Sequence, residues 1–192
     1  MKARLREAAS DAILDALEEV AVERGYDATS IAAIAERAGV AVGTLYNYFP
    51  DREAMFAALF RVRRADMAPR MDAAAEAARG LPFEKRLRAY IRAATSTFDD
   101  KRRFIRLAIA MDQQGRRVTE PTLMRNLELH ILEILRDATA AGDLPPGRLD
   151  EYAQMLVGSL RAFKHWQVEH DQPFDADFIV DTFLYGAKGK KR

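Results

Sequence analysis

The sequence predicts an all-α protein of about nine helices, and three observations lead to that prediction. Apolar residues recur three and four positions apart along most of the 192 residues, which is the spacing of a buried helical stripe. No segment alternates apolar and polar residues over the length of a strand. Glycine, proline or paired aspartate separates the periodic stretches, and these residues interrupt helices.

The boundaries of the predicted helices follow from residues that begin or end helices. Gly25 and Gly39 follow the first two stripes, because glycine readily adopts the left-handed conformation that ends a helix. Ser30 is a favoured N-cap, and Pro50 stops the third helix. Pro69 lies inside the fourth pattern, where we expect a kink or a break. The predicted helices cover residues 4–24, 31–38, 42–48, 52 onward, 83–98, 101–112, 122–141, 149–170 and 174–187.

The composition excludes several classes of protein. A hydrophobic fraction of 49% with 31% charged residues is that of a folded chain, not of a disordered one. The absence of cysteine excludes disulfides, zinc thiolates, iron–sulfur clusters and cysteine nucleophiles. No run approaches the roughly 18 apolar residues of a membrane span, so we expect a cytoplasmic protein without membrane contact. His165 and Glu169 share a helix face but lack a third ligand, so we expect neither a metal nor a cofactor.

Residues 25–53 carry the pattern on which function depends. Two short predicted helices meet at a tight turn at Gly39. Four apolar residues are spaced to pack these helices together, namely Ile34, Ala35, Val40 and Leu45. The small Ala35 permits close approach. The pattern predicts a helix-turn-helix, whose second helix enters the major groove of DNA.

The exposed face of that second helix is polar in a way that suits nucleic acid. It presents Thr44, Tyr46, Asn47 and Tyr48, and Arg52 flanks it. Hydroxyl, amide and guanidinium groups bind phosphate oxygens and base edges. The alternative for either tyrosine is that its ring packs in the core.

The stretch from Ile34 to Glu53, with Gly-Thr-Leu-Tyr at residues 43–46, resembles the DNA-binding signature of the tetracycline-repressor (TetR) family of bacterial regulators. The resemblance implies a DNA-binding helix-turn-helix domain over residues 1–50. It implies a helical ligand-binding and dimerisation body over residues 51–192. The strong part of the resemblance covers roughly residues 10–60, and beyond it only the helical architecture matches.

The resemblance also implies a function. It favours a one-component transcriptional repressor that is not an enzyme. Such a regulator binds a palindromic, double-stranded DNA operator as a homodimer, and a small, apolar effector releases it. Two alternatives stay open at this stage, a helical enzyme and a DNA-binding protein that responds to no ligand.

Residue roles on DNA are carried over position by position from the resemblance. Phosphate contacts are implied for Thr29, Ser30, Thr44, Tyr46, Tyr48 and Arg52. Base-edge contacts are implied for Val42, Gly43 and Asn47, and for Ala32 or Ala33. Asn47 is the best candidate for a bidentate contact to adenine, and Val42 for a thymine methyl. Arg52 departs from the family, which usually has lysine at that position.

The body is expected to hold an effector pocket and a dimer interface. The resemblance places the pocket in the body, and the candidate residues, each also explicable as ordinary core, are Phe60, Phe98, Phe104, Met111, Met124 and Trp166. The last two helices carry apolar stripes that favour a two-fold interface, although an internal helix pair in a monomer would show the same stripes. The interface candidates are Tyr152, Met155, Ser159, Phe163, Phe178 and Thr182.

The net charge of +1 argues against DNA binding at first sight, because DNA-binding domains usually carry a basic excess. Residues 1–65 hold nine basic and ten acidic side chains, so the predicted DNA-binding region is not basic either. Residues 38–50, however, contain no acid. We therefore expect few phosphate contacts through cations and a shallow dependence of DNA affinity on salt.

Overall fold

Nine α-helices make up the regular structure of the residues that the computed structural model describes, which are 2–113, 122–170, 172 and 175–186. No strand occurs in these ranges. Within the same ranges, no helix is both long and apolar enough to cross a membrane. The helices are α1 (Lys2–Arg24), α2 (Ile31–Ala38), α3 (Val42–Tyr46), α4 (Arg52–Ala77), α5 (Phe83–Asp100), α6 (Arg102–Gln113), α7 (Thr122–Ala141), α8 (Leu149–His170) and α9 (Ala176–Tyr185).

Two compact units divide the chain. The first comprises Met1–Asp66 and Lys101–Glu120, and the second comprises Met67–Asp100 and Pro121–Arg192. The first half of α4 and the whole of α6 therefore belong with α1–α3, although α5 between them belongs to the second unit. The expected functional division after residue 50 remains a prediction.

The core of the first unit is built on one face of α1. Its apolar stripe is buried, as are the side chains that α4 turns inward, among them Met55 and Leu59. Phe60 of α4 meets Phe104 of α6 edge to face, with ring centroids 5.0 Å apart. Burial of such a side chain contributes roughly 1.5–3 kcal/mol, so this face holds the unit together. The buried stripe of α1 is Ile13, Leu14, Ala16, Leu17, Val20 and Ala21.

The core of the second unit surrounds α5, whose inner face is fully buried. The Tyr90 hydroxyl lies in this core, 3.0 Å from Nδ1 of His130 on α7. Nε2 of the same histidine lies 3.3 Å from the Asp72 carboxylate of α4. Burial, with a smaller effect of the Asp72 charge, raises the pKa of Tyr90, so its hydroxyl stays protonated. The apolar residues of this face of α5 are Leu87, Ile91, Ala94 and Phe98.

Arginines of α5 fasten α9 to the second unit. Arg92 binds Asp177 through both side-chain oxygens, and Arg88 binds Asp181 at 2.5 Å. The hydrogen bond from Arg92 lowers the pKa of Asp177, which therefore stays ionised in the folded unit. Asp175 caps α9 by accepting a hydrogen bond from the Asp177 amide.

The helix boundaries expected from sequence agree with the structure to within two residues. The third helix ends at Tyr46, two residues early, the fifth ends at Asp100, two residues late, and the ninth covers Ala176–Tyr185. The expected break at Pro69 is wrong, because α4 runs through it from Arg52 to Ala77. The pyrrolidine ring of Pro69 removes one backbone amide donor from the helix, but it also holds φ near the helical value. Met67 and Met71, on either side of Pro69, are fully buried and hold both turns of α4 in place.

Replacing Pro69 by alanine should stabilise the protein. Alanine restores an amide donor inside an exposed stretch of α4, and proline costs about 3 kcal/mol relative to alanine in a helix interior. We expect the free energy of unfolding in urea to rise by about 1–3 kcal/mol. Pro82, which precedes α5, is the matched control, because the start of a helix tolerates proline. A Pro69→Ala variant no more stable than Pro82→Ala would contradict an unbroken α4.

Candidate nucleic-acid interface

The turn between α2 and α3 is set by backbone geometry. Gly39 ends α2 with φ +67° and ψ 30°, a left-handed conformation that side chains with a Cβ disfavour. Its amide donates to the Glu36 carbonyl at 3.2 Å, and the Val40 amide donates to the Ala35 carbonyl at 3.0 Å. These bonds satisfy carbonyls at the end of α2 and reverse the chain within three residues. The turn therefore fixes the direction in which α3 leaves α2.

The two helices pack through the residues expected from the sequence. Ile34 and Ala35 of α2 and Leu45 of α3 are buried in the core of the first unit, whereas Val40 is half-buried. Ala35 has no side chain beyond Cβ, so the two backbones come close. Phe49, just after α3, is also buried and closes the same core. This packing leaves the opposite side of α3 in solvent.

The solvent side of α3 forms one surface with most of the predicted DNA-binding residues. Val42 and Tyr46 are 42% and 52% exposed, which is unusual for side chains of their size. Gly43 and Asn47 are also exposed, and Thr44 and Tyr48 are half-buried at its edges. The Tyr46 ring is therefore not a core residue. We call these six residues the α3 surface.

The start of α2 is a capped helix terminus. Ser30 has an extended backbone and its Oγ accepts a hydrogen bond from the Ala33 amide at 3.2 Å. The remaining amides of the first turn and the helix dipole attract an anion. Ala32 is exposed here, whereas Ala33 is buried, so only Ala32 can reach a base.

Thr29 takes a different role from the phosphate contact that the resemblance implied. It is 1% exposed, and its Oγ1 donates to the Gly25 carbonyl at 2.7 Å. The hydroxyl is thus committed to the turn between α1 and α2 and does not reach solvent. Its burial makes Thr29 part of the structure that supports Ser30.

Arg52, the first residue of α4, also points into that turn. Its Nη1 donates to the carbonyls of Tyr26 and Thr29, each at 3.1 Å, and its Nη2 lies 3.5 Å from Glu53. The guanidinium lies 4.5 Å from the centroid of the Tyr26 ring, which in turn packs on Phe56. The sequence signal for this arrangement was the arginine itself, which replaces the lysine usual in the family.

Arg6 is a residue that the sequence interpretation missed. Its Nη2 lies 3.5 Å from the Asn47 carbonyl, and its guanidinium lies 5.8 Å from the Tyr48 ring centroid. These contacts join the start of α1 to the end of α3 across 41 positions of sequence. No local pattern could have indicated a pair so far apart in the chain.

The acids of α1 are paired with arginines of three other helices. Glu19 binds both Arg37 of α2, at 3.1 Å, and Arg103 of α6, at 3.2 Å. Glu23 binds Arg37 at 2.6 Å, and this hydrogen bond lowers the pKa of the Glu23 carboxyl. Arg63 of α4 binds Glu18 at 2.7 Å, and Asp15 as well. Four of the six acids of α1 are therefore paired within the first unit.

The predicted pocket residues are found in both units. Phe60, Phe104 and Met111 are buried in the first unit, and Phe98 is buried in the second. The Met124 side chain lies outside the described residues. Trp166 is 42% exposed and stacks on His170, with ring centroids 5.0 Å apart, so it is a surface residue. The other four candidates are buried side chains, and their place in an effector pocket remains a prediction.

The predicted interface residues do share a surface, on α8 and α9 of the second unit. Met155 and Phe178 are 50% and 55% exposed. Phe163 meets Phe178 edge to face at 5.8 Å between centroids. A shallow cavity of about 90 Å³ opens among them. We call this the α8–α9 surface, and its residues are Tyr152, Met155, Ser159, Phe163, Phe178 and Thr182.

A tight glycine turn, a buried packing contact and an exposed, acid-free second helix together define a helix-turn-helix protein of the DNA-binding class. The family model of bacterial regulatory proteins of the tetR family matches residues 13–59, which is this part of the chain. The likeness to this family is thus shown for the helix-turn-helix part of the chain.

Individual relatives agree with that assignment. A fatty acid metabolism regulator protein from Bacillus subtilis is 40% identical over 60 residues, which are 31% of this chain and 31% of that protein. The HTH-type transcriptional repressor KstR from Mycolicibacterium smegmatis is 58% identical over 40 residues, 21% of this chain and 20% of that protein. The matches thus span less than a third of either relative.

The architecture extends the likeness beyond the helix-turn-helix. The crystal structure of the transcriptional regulator FadR from Bacillus subtilis, in complex with stearoyl-CoA, superposes with a TM-score of 0.73. The superposition covers 91% of this chain and 97% of that chain, at 21% sequence identity. At that identity the likeness shows the shared fold, not a shared ligand.

Proposed function

We propose that this protein is a dimeric one-component transcriptional repressor that binds a palindromic operator and is released by a small apolar ligand. The observation that carries the proposal is the α3 surface. It exposes Val42, Tyr46 and Asn47 on a helix held by the Gly39 turn, in a stretch without acids. An exposed aromatic, an amide and an apolar methyl group are the chemistry of groove contact.

The proposed contacts with DNA are of two kinds: contacts with phosphates, which position the protein, and contacts with base edges, which read the sequence. Tyr46, Thr44, Tyr48 and Ser30 lie at the α3 surface or at the start of α2, where hydroxyls and amides suit phosphates. Asn47 ends α3 with its side chain exposed, and its amide suits the N6 and N7 atoms of adenine. Few of these groups are cationic, so specific binding rests more on hydrogen bonds and DNA shape than on charge.

Asn47→Ala tests base reading. Loss of one bidentate contact costs about 1–3 kcal/mol, so we expect roughly 5- to 150-fold weaker binding per site to the DNA upstream of the protein's own gene. Binding to unrelated DNA should change little. Fluorescence anisotropy at low salt measures both affinities.

The matched control for that experiment is Asn126→Ala, which removes the same side chain from α7 in the second unit. Equal losses in the two variants, or equal losses on both DNAs for Asn47→Ala, would contradict base reading. A wild-type protein without preference for the upstream DNA would contradict operator binding there.

The α8–α9 surface supports the dimer. Exposed apolar patches of this kind mark interaction sites on soluble proteins, and this one includes two ring systems, Phe163 and Phe178, in contact. A two-fold axis through such a surface repeats the same patch on both subunits. The paired α3 surfaces would then reach successive major grooves about 34–36 Å apart.

Phe178→Lys should convert the dimer into a monomer, because it places a charge in the centre of the α8–α9 surface. Sedimentation velocity measures the change in mass, and circular dichroism checks that helicity persists. Leu129→Lys is the control, since Leu129 is equally exposed, at 53% against 55%, but lies on α7. A dimer that survives Phe178→Lys, or dissociates equally with Leu129→Lys, would contradict the assignment.

The ligand proposal draws on the names of the relatives and on the core of the second unit. One relative is a fatty acid metabolism regulator, and a structural neighbour holds stearoyl-CoA. Met67 and Met71 are buried in this core, and methionine adapts its shape to apolar guests. Tyr90 and His130 add polar groups to otherwise apolar surroundings. We propose a long-chain acyl compound as the effector, binding a conformation in which this core has opened.

Stearoyl-CoA should weaken operator binding, whereas coenzyme A alone should not. A coupling of about 1–3 kcal/mol corresponds to roughly 5- to 150-fold in operator affinity. Anisotropy with labelled upstream DNA measures it at stearoyl-CoA concentrations too low for micelles. Unchanged affinity with acyl chains from octanoyl to stearoyl would contradict an acyl effector while leaving operator binding intact.

A further inference from the structure

The guanidinium of Arg52, which the resemblance assigned to a phosphate, is engaged in several contacts within the protein. The two N–H groups of Nη1 donate to two different carbonyls, those of Tyr26 and Thr29, at 3.1 Å each. The guanidinium carbon of Arg52 lies over the Tyr26 ring, 4.5 Å from its centroid. The side chain is 24% exposed, so most of it is covered.

These carbonyls belong to the turn that carries the start of α2. The Tyr26 carbonyl also accepts the Thr29 amide at 3.2 Å, which closes the turn. The Thr29 carbonyl belongs to the peptide bond that joins Thr29 to Ser30. Arg52 therefore holds the peptide group that precedes the Ser30 cap. The side chain of Thr29 is held as well, because its Oγ1 donates to the Gly25 carbonyl.

Lysine would not reproduce this arrangement. Its ammonium can donate to carbonyls or lie over a ring as a point charge, but it has no planar fork that holds two carbonyls and a ring in one fixed geometry. The two hydrogen bonds also use both N–H groups of Nη1, which are then not free to donate to a phosphate.

We propose that Arg52 is a positioning residue, which sets the Ser30 end of α2 for a phosphate and does not itself neutralise one. The proposal rests on the proposed operator binding for its effect on DNA. The effect of Arg52 on the start of α2 is a property of the free protein and can be measured without DNA.

The first test uses the free protein. The Ala33 amide donates to Ser30 Oγ, so its hydrogen exchange reports the cap directly. Exchange at Ala33 should accelerate about tenfold in both Arg52→Lys and Arg52→Met. The control is Arg61→Met, which removes an exposed arginine from α4 in the same unit. Unchanged exchange in Arg52→Met, or equal acceleration in Arg61→Met, overturns the proposal whatever DNA shows.

The second test uses the operator fragment and measures affinity from 50 to 300 mM salt. A positioning residue predicts that Arg52→Lys and Arg52→Met bind equally, about tenfold more weakly than wild type, with an unchanged slope of log affinity against log salt. A phosphate contact predicts instead that Arg52→Lys binds like wild type. It also predicts that Arg52→Met lowers the slope by about 0.9 per subunit. That second pattern overturns the proposal.

A double variant separates Arg52 from a general loss of stability. If Arg52 acts through Ser30, then Ser30→Ala combined with Arg52→Met binds no more weakly than the weaker single variant. Additive losses overturn the proposal. If the wild-type protein shows no operator preference, the proposed function fails, and the exchange experiment still decides whether Arg52 sets the cap.

Discussion

The first unit depends on the contacts of α1. One face of this helix buries Leu14, Leu17 and their neighbours, and the opposite edge carries acids that bind arginines of α2, α4 and α6. The apolar face supplies the stabilisation, because exposed ion pairs contribute about 0–1 kcal/mol each. The ion pairs fix which helix lies beside which edge of α1. The Arg63–Glu18 pair is the least exposed of them, and breaking it would leave a charge with little access to water.

This pairing explains how a nearly neutral chain can serve a DNA-binding role. The acids of α1 face arginines of their own unit, so they contribute little field at the α3 surface. That surface has neither acids nor many cations, and its donors are hydroxyls and an amide. A DNA-binding surface with few cations has little nonspecific affinity for DNA. Its preference for one sequence must then come from the accurate placement of its hydrogen-bonding groups. Accurate placement of α2 and α3 then matters more than charge.

Placement comes from contacts that lie outside the DNA-facing residues themselves. Gly39 fixes the turn from α2 into α3, Thr29 and Arg52 contact the turn before α2, and Arg6 reaches the end of α3. The helix α3 has only five residues, too few to be stable alone. Its shape therefore depends on the turn before it and on the burial of Leu45 and Phe49. The rest of the first unit thus holds α3 in place.

The sequence by itself determined where the helices lie, because the spacing of apolar residues and the cap residues are local signals that extend over only a few positions. The stripes of α1 and α5, the glycine at residue 39 and the serine at residue 30 each predicted the element that the structure contains. The sequence also predicted the exposed α3 and α8–α9 surfaces, because the periodicity of a helix separates the face that packs in the core from the face that stays exposed. Only the tertiary structure decided that Thr29 is buried, that Arg52 turns to backbone carbonyls, that α4 passes through Pro69 and that the aromatic pocket candidates divide between two units. Each of these outcomes depends on which distant side chains surround a residue, and sequence periodicity holds no information about such neighbours.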